Sequence, residues 1–358
     1  MEAGGNRIYT PYKGRITGFD FLRGIAIFLT LCRHSFHPPN ILWQFGWVGV
    51  HLFFVLSSFL IANILFTEYY ATGKINFFRF FVRRALKIYP LYYLFIFISV
   101  YKNRELFLSS IHYKMQLIGQ IFHLQNYTDI LWYHTWSLAA EEQFYIAMCI
   151  MLSVYLLLSK QGRLRKLVWL FTGVIVLAPF LRYRDSLLYH TQWFMPTHLI
   201  MDSFAFGALL ALSKFVFPKI FSAIIQLKHW LLIPIFILLI PLFFLQAGNL
   251  VMNSIGLTAM FLSLSLLLAY LLSVEDFSSG RNSIARAIIQ PIAVAGIASY
   301  SIYLLHVPVK TFTDYFAISE WLKIPFYFIS CIIAGKIAWY FIERPIASYK
   351  SRFFSTEK

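Results

Sequence analysis

Along this chain the apolar residues gather into ten runs separated by short polar or basic stretches. A helix crossing the hydrocarbon core of a bilayer needs roughly 20 apolar residues, and the runs predict helices at roughly 16–37, 46–67, 88–101, 138–158, 167–181, 198–214, 229–246, 251–273, 292–311 and 322–342. The third and fifth runs are short, and the third continues naturally into the basic segment before it. Trp43, Trp47, Trp132, Trp136, Trp193 and Trp230 stand near run ends, where interfacial aromatic belts form. The strands of an outer-membrane barrel would instead alternate polar and apolar residues. The expected fold is all-α, a polytopic transmembrane helix bundle of about ten spans.

Composition agrees with this pattern. Of 358 residues, 59% are apolar and 13% charged, against ~25% charged in soluble globular chains. A water-soluble globule and a disordered chain are both excluded. The net charge of +16 is explained by where the basic residues fall. Of 31 Lys and Arg residues, 21 collect on one side of the ten-span topology and 7 on the other, with Arg23, Arg33 and Lys336 inside runs. The positive-inside rule then puts both termini in the cytoplasm of a multi-pass inner or plasma membrane protein, and no nucleic-acid partner is needed. Cys32, Cys149 and Cys331 lie within apolar runs, so neither a disulfide framework nor a metal site is expected. No cleavable signal is visible, and the first helix is expected to remain as an anchor. There is no internal repeat. The longest polar stretch, about 102–137, is an outer loop too short for a typical independent domain. Residues 1–358 are read as a single transmembrane domain with no appended soluble domain.

Ionisable groups inside hydrocarbon are costly, which makes each one a functional candidate. In the first run Arg23 and His34 face nearly the same way, roughly 16 Å apart along the axis, with Asp20, Thr30 and His37 on that side. A snorkelling Asp/Arg pair and a backbone-bonded histidine would explain them equally well. His51 and Ser58 share a face of the second run. The fourth begins WSLAAEEQFYIA; Glu141 reads as a solvated acid favouring a helix N-terminus, Glu142 as a functional one. His198 and Asp202 form an i,i+4 pair, and His306 lies in SYSIYLLHVPV. By the assigned topology His34, His51, Glu142, His198, Asp202 and His306 all fall in the outer half of the membrane. Either they line one shared chamber or they collect at helix ends by chance. On the cytoplasmic side Arg79, Arg83, Arg84 and Lys87 precede a short run; they are ordinary topological anchors, like Arg163, Arg165 and Lys166, or a phosphate clamp.

These residues sit in segments that together resemble the acyltransferase-three family of integral membrane O-acyltransferases. The segments are FDFLRGIAIFLTLCRH, GVHLFFVLSSFLI, FFVRRALKIYPLYY, WSLAAEEQFY, DSFAFGALLA, SYSIYLLHVPV and FIERP, in the family's order from Phe19 to Pro345. The resemblance implies that Arg23 is the helix-one arginine and His34 the essential histidine. It implies that Arg84 and Lys87 fill the two basic positions of the RxxR motif, thought to bind acyl-CoA phosphates. Glu142 is taken as the acid of the WSLxxExxFY motif, and Glu343, Arg344 and Pro345 as the closing signature. Lys87 stands where arginine is usual, His51 where aspartate is common and Ser58 where glycine is common. The family's frequent extracytoplasmic hydrolase-like domain is not seen, so a stand-alone enzyme is expected.

The expected activity is transfer of an acyl group, acetyl above all, from cytoplasmic acyl-CoA to a hydroxyl of an extracytoplasmic or lipid-linked carbohydrate. Arg79, Arg84 and Lys87 would hold the donor's phosphates, His34 would act as general base, and Glu142 would orient its imidazole. Arg23, His51, Asp202 and His306 are expected to contribute polar groups to substrate or structure. Direct transfer and an acyl-histidine relay both remain open. So does a transporter or flippase for a polysaccharide intermediate, although no inverted repeat supports it. Neither a metal nor a permanently bound cofactor is expected.

Overall fold

A computed structural model of the protein describes residues 17–35, 40–158, 164–189, 194–245, 248–274 and 283–353. His37, Arg163 and Trp193 lie outside these residues. No strand occurs among them, and the helices follow the apolar runs. In chain order they are α1 (Thr17–Ser35), α2 (Ile41–Phe45), α3 (Val48–Thr72), α4 (Phe77–Lys102), α5 (Arg104–Ser109), α6 (Ile111–Ile121), α7 (Trp136–Leu158) and α8 (Leu167–Tyr189). They continue with α9 (Met201–Val216), α10 (Pro218–Gln226), α11 (Leu232–Phe244), α12 (Leu257–Ser273), α13 (Ser283–Ile297), α14 (Ser299–Asp314), α15 (Glu320–Ala338) and α16 (Arg344–Phe353). Single π-turns, Met252–Gly256 and Trp339–Glu343, lead into α12 and α16.

Each of the ten runs contains a helix, but the number of clear spans is smaller. Among the described residues, five helices are long and apolar enough to cross a membrane, and up to seven if two bent pairs each count once. The pairs are α9 with α10, bent by 113°, and residues Ala287–Ile297 with α14, bent by 76°. The first bend follows from Pro218, which opens α10 at its N1 position, where a missing N–H is tolerated. In the third run Asn76 caps the N-terminus of α4 by accepting from the Arg79 amide at 2.9 Å, so the basic segment and the apolar run form one helix. The long exposed apolar side chains, among them Phe97, Leu157, Trp169 and Phe244, form the outward surface that a lipid-facing bundle presents.

Close contacts at glycines set the packing. A Cβ at Gly207 on α9 would overlap the Val55 carbonyl of α3, and one at Gly296 on α13 would overlap the Asp20 carbonyl of α1; small residues allow backbones to meet this way. Ser58 reinforces the first contact by donating to the Phe204 carbonyl. Beside α9 lies Arg182, fully buried on α8. Its Nη1 and Nη2 each donate to Asp202 at 2.8 Å, and its remaining donors reach the carbonyls of Leu199, Asn253 and Ser254. Thr258 completes the ring, donating to Asp202 at 2.7 Å. Arg182 stands one position beyond the fifth apolar run, roughly 167–181; α8 runs on to Tyr189 and keeps it within the helix. Removing one partner of a buried ion pair typically costs about 3–5 kcal/mol, whereas replacing both by apolar groups is often tolerated. Thermal unfolding of the detergent-solubilised protein should therefore show a larger loss for Asp202→Ala than for the double substitution Arg182→Met/Asp202→Leu.

Candidate active site

Helices α1, α3, α4, α7 and α14 line one cavity. Three cations from two helices line it: Arg23 of α1, and Arg84 and Lys87 of α4. The three-residue spacing of Arg84 and Lys87 places both on one face of α4. Arg23 is paired with Asp20 at 3.2 Å, the Arg84 guanidinium lies 5.2 Å from the Tyr145 ring centroid, and Lys87 is exposed at the cavity's edge. Arg79 is engaged elsewhere, with Glu68 at 2.6 Å, and is not among the lining residues. The cavity thus gathers Arg23 with Arg84 and Lys87, where the sequence reading grouped Arg79 with them.

The acid in this cavity is Glu141. Its Oε1 accepts from Ser57 at 3.1 Å and its Oε2 from Tyr145 at 2.7 Å, and the charges of Arg84 and Lys87 act on it. Glu142 is one residue on, about 100° around the helix, and buried against a different neighbour, accepting from Tyr89 at 3.2 Å. On that side Gln143 bonds the His123 carbonyl and Asn126, both at 2.7 Å. Counted from Trp136, the WSLxxE spacing also arrives at Glu141. The sequence reading had divided the two acids the other way.

Past the cavity, three histidines meet. The ring centroids of His34 and His306 are 4.7 Å apart, and those of His134 and His306 5.1 Å. His34 is half-buried at the end of α1, while His134 and His306 are buried. Backbone carbonyls set the tautomers of the neutral buried rings. His306 Nδ1 donates to the Tyr303 carbonyl, and His134 Nε2 donates to the Leu304 carbonyl at 3.1 Å. That leaves His306 Nε2 and His134 Nδ1 as lone-pair nitrogens, and neither has a hydrogen-bond partner among the described residues. His134 stands in the turn Tyr133–Thr135 before α7. Sequence reasoning passed over it because it fell in a polar loop.

The six residues expected to share a chamber are distributed over several places. His34 and His306 come together. His51 is enclosed by the rings of Trp47, Phe54 and Phe261, Asp202 is held by Arg182, and His198 bonds the Tyr127 hydroxyl at 3.0 Å. Glu142 lies on Tyr89. Similar depth did not bring common direction, because each helix was free to turn its polar residue toward a different neighbour. No group of three or more His, Cys, Asp or Glu residues placed to hold a metal occurs among the described residues.

Comparison with known proteins adds the family. The profile described as "Acyltransferase domain" matches residues 16–342. A protein of Staphylococcus aureus (strain COL) named "Putative O-acetyltransferase" is 30% identical, the match covering 94% of this chain and 58% of that protein. "O-acetyltransferase OatA" of Staphylococcus aureus (strain NCTC 8325) is 26% identical, over 95% of this chain and 58% of its own length. The chain therefore spans less than two thirds of the length of these relatives. No solved structure matches it. The profile match leaves out little beyond the two ends, and the protein belongs to this family of acyltransferases.

Proposed function

We propose that this membrane protein transfers an acyl group, acetyl in the first instance, from cytoplasmic acyl-CoA to a hydroxyl of an extracytoplasmic or lipid-linked carbohydrate. The observation that carries the reading is the convergence of Arg23, Arg84 and Lys87 on a cavity that also reaches Tyr303, whose ring centroid is 5.4 Å from that of His306. Guanidinium groups suit phosphate oxygens, which they grip with charge-assisted bonds. The donor's phosphates remain at these cations, and its thin arm runs inward past Ser57, Leu60 and Phe53. His34, half-buried and so accessible to an acceptor, takes the proton of the acceptor hydroxyl. The hydroxyl oxygen forms the new ester bond to the thioester carbon, the carbon–sulfur bond breaks, and CoA leaves as its thiolate to be protonated. His306, 4.7 Å from His34 ring to ring, supports the imidazole in the part expected of Glu142. The O-acetyltransferase names of the staphylococcal relatives favour acetyl as the group and oxygen as the acceptor atom.

Acetyl-labelled CoA supplied to proteoliposomes tests the reading. Label in a glycan with release of free thiol supports it; movement of a glycan across the bilayer with neither would favour the transporter. His34→Ala should lower transfer by about 10²-fold or more, the usual contribution of a positioned base. Arg84→Ala should weaken CoA binding by about tenfold or more, as loss of a charged hydrogen bond does. Arg165→Ala is the control, since its guanidinium lies over Phe217 at 5.2 Å; equal loss from both would reduce the clamp to topology. For the two acids, kcat/KM for acetyl-CoA should fall further in Glu141→Gln than in Glu142→Gln, and the reverse order would return the site to Glu142.

A further inference from the structure

The cavity and the histidine cluster meet at one side chain. Tyr303 lines the cavity, and its ring also lies against His306, 5.4 Å between centroids, and against His134 at 6.1 Å. None of the three histidines lines the cavity. The Tyr303 hydroxyl donates its single proton to the His134 carbonyl at 2.6 Å. The 2.5 Å contact with Ser137 must then run the other way, with the Ser137 hydroxyl donating to the Tyr303 oxygen. Ser137 is itself a cavity residue, and both side chains are buried, Ser137 at 4% and Tyr303 at 6% exposure. Phe53 backs the tyrosine from within the cavity, its ring centroid 6.4 Å away. A chain of two hydrogen bonds therefore stands between the donor cavity and the histidine cluster, of which His34 is half-buried.

We propose that the Tyr303–Ser137 pair is a specificity determinant that makes the enzyme choose a hydroxyl acceptor over water, by sealing the inner end of the donor cavity until an acceptor is engaged. The inference rests on the cavity being the donor site. A thioester next to an open imidazole would be hydrolysed: a water gives a proton to His34, its oxygen bonds to the carbonyl carbon, the carbon–sulfur bond breaks, and acetate and CoA thiol result. Water is the smallest acceptor and the hardest to exclude by shape, so exclusion needs a closed wall. Removing the Tyr303 hydroxyl would leave the Ser137 donor and the His134 carbonyl both unmet, and buried unmet groups draw in water.

The test is acceptor-free. Purified protein is given saturating acetyl-CoA in water enriched in oxygen-18, and thiol release and labelled acetate are followed together. The wild type should turn over slowly. Tyr303→Phe, which keeps the ring and loses only the hydroxyl, should release thiol at least fivefold faster with label in the acetate. Ser137→Ala, which leaves the Tyr303–His134 bond in place, should be faster than wild type by a smaller factor. A purely structural role for the pair would lower thiol release in both variants, and that result, or rates equal to wild type, overturns the proposal. If Tyr303→Phe does not fold, Ser137→Ala decides alone. Calorimetric titration of the wild type with CoA separates the two levels: if CoA does not bind, the donor reading fails and the inference falls with it; if CoA binds and the variants do not leak, only the inference fails.

Discussion

A guanidinium set among lipid-embedded helices is tolerable only when its five donors are met, and Arg182 meets this condition with one carboxylate, three carbonyls and a hydroxyl. Its partners come from three places in the chain: Leu199 just before α9, α9 itself, and the π-turn Met252–Gly256 together with the first turn of α12. Rotating any of these elements would strand a buried charge, so the group fixes their phase as well as their proximity. From α9 the constraint passes to α3 through the Gly207 contact and the Ser58 bond. The opposite face of α3 carries Val50, Phe53, Phe54, Ser57 and Leu60, one wall of the cavity. A site wall held through packed helices is better defined than one carried on a loop.

The cations at the cavity raise the converse problem, since three uncompensated positive charges in a low-dielectric surround would be expensive. Each has an electrostatic companion. Asp20 pairs with Arg23, Tyr145 offers its ring face to Arg84, and Lys87 lies within reach of Glu141 and Glu343. Glu343 is itself fixed by a bond from Ser301 at the π-turn that ends α15. On the donor reading, phosphate oxygens would take over contacts that acids and rings hold in the resting protein. Arg182 has no donor left to lend, which marks it as frame rather than site.

The sequence was most legible where one strong term decides. Long apolar runs became helices because nothing else satisfies the backbone in hydrocarbon, and the cost of an ionisable residue there singled out His34 and His306, which do meet. It was least legible in rotational phase. Glu141 and Glu142 differ by one position, and neither the capping pattern nor the apolar residues around them says which turns inward; Ser57 and Tyr145, from α3 and the next turn of α7, decide it. Arg182 was misplaced for a related reason. A charge near the end of a marginal run looks like the start of a loop, and only the distant Asp202 and the π-turn at Met252–Gly256 show that the helix continues. The run at 292–311 hid its break as well, because Ala298 lies within the run while the chain turns by 76° there.

That turn has a mechanical consequence. Beyond it, α14 presents Ser299, Tyr300 and Tyr303 to the cavity and then His306 to the histidine cluster, at spacings that keep them close to one face. Tyr303 and His306 are three residues apart, about 4.5 Å of helix rise. On the donor reading, the phosphates of CoA would stay at Arg23, Arg84 and Lys87 throughout, and only the neutral acyl carbon would move on past the tyrosine toward His34, whose ring centroid is 4.7 Å from that of His306. Carrying a polyanion through hydrocarbon would require compensating charge along the whole path, and the apolar stretch formed by Val50, Phe53 and Leu60 supplies none. On that reading, a bundle arranged in this way would solve transfer across a membrane by leaving the charged part of the donor where it binds and moving the smallest uncharged piece.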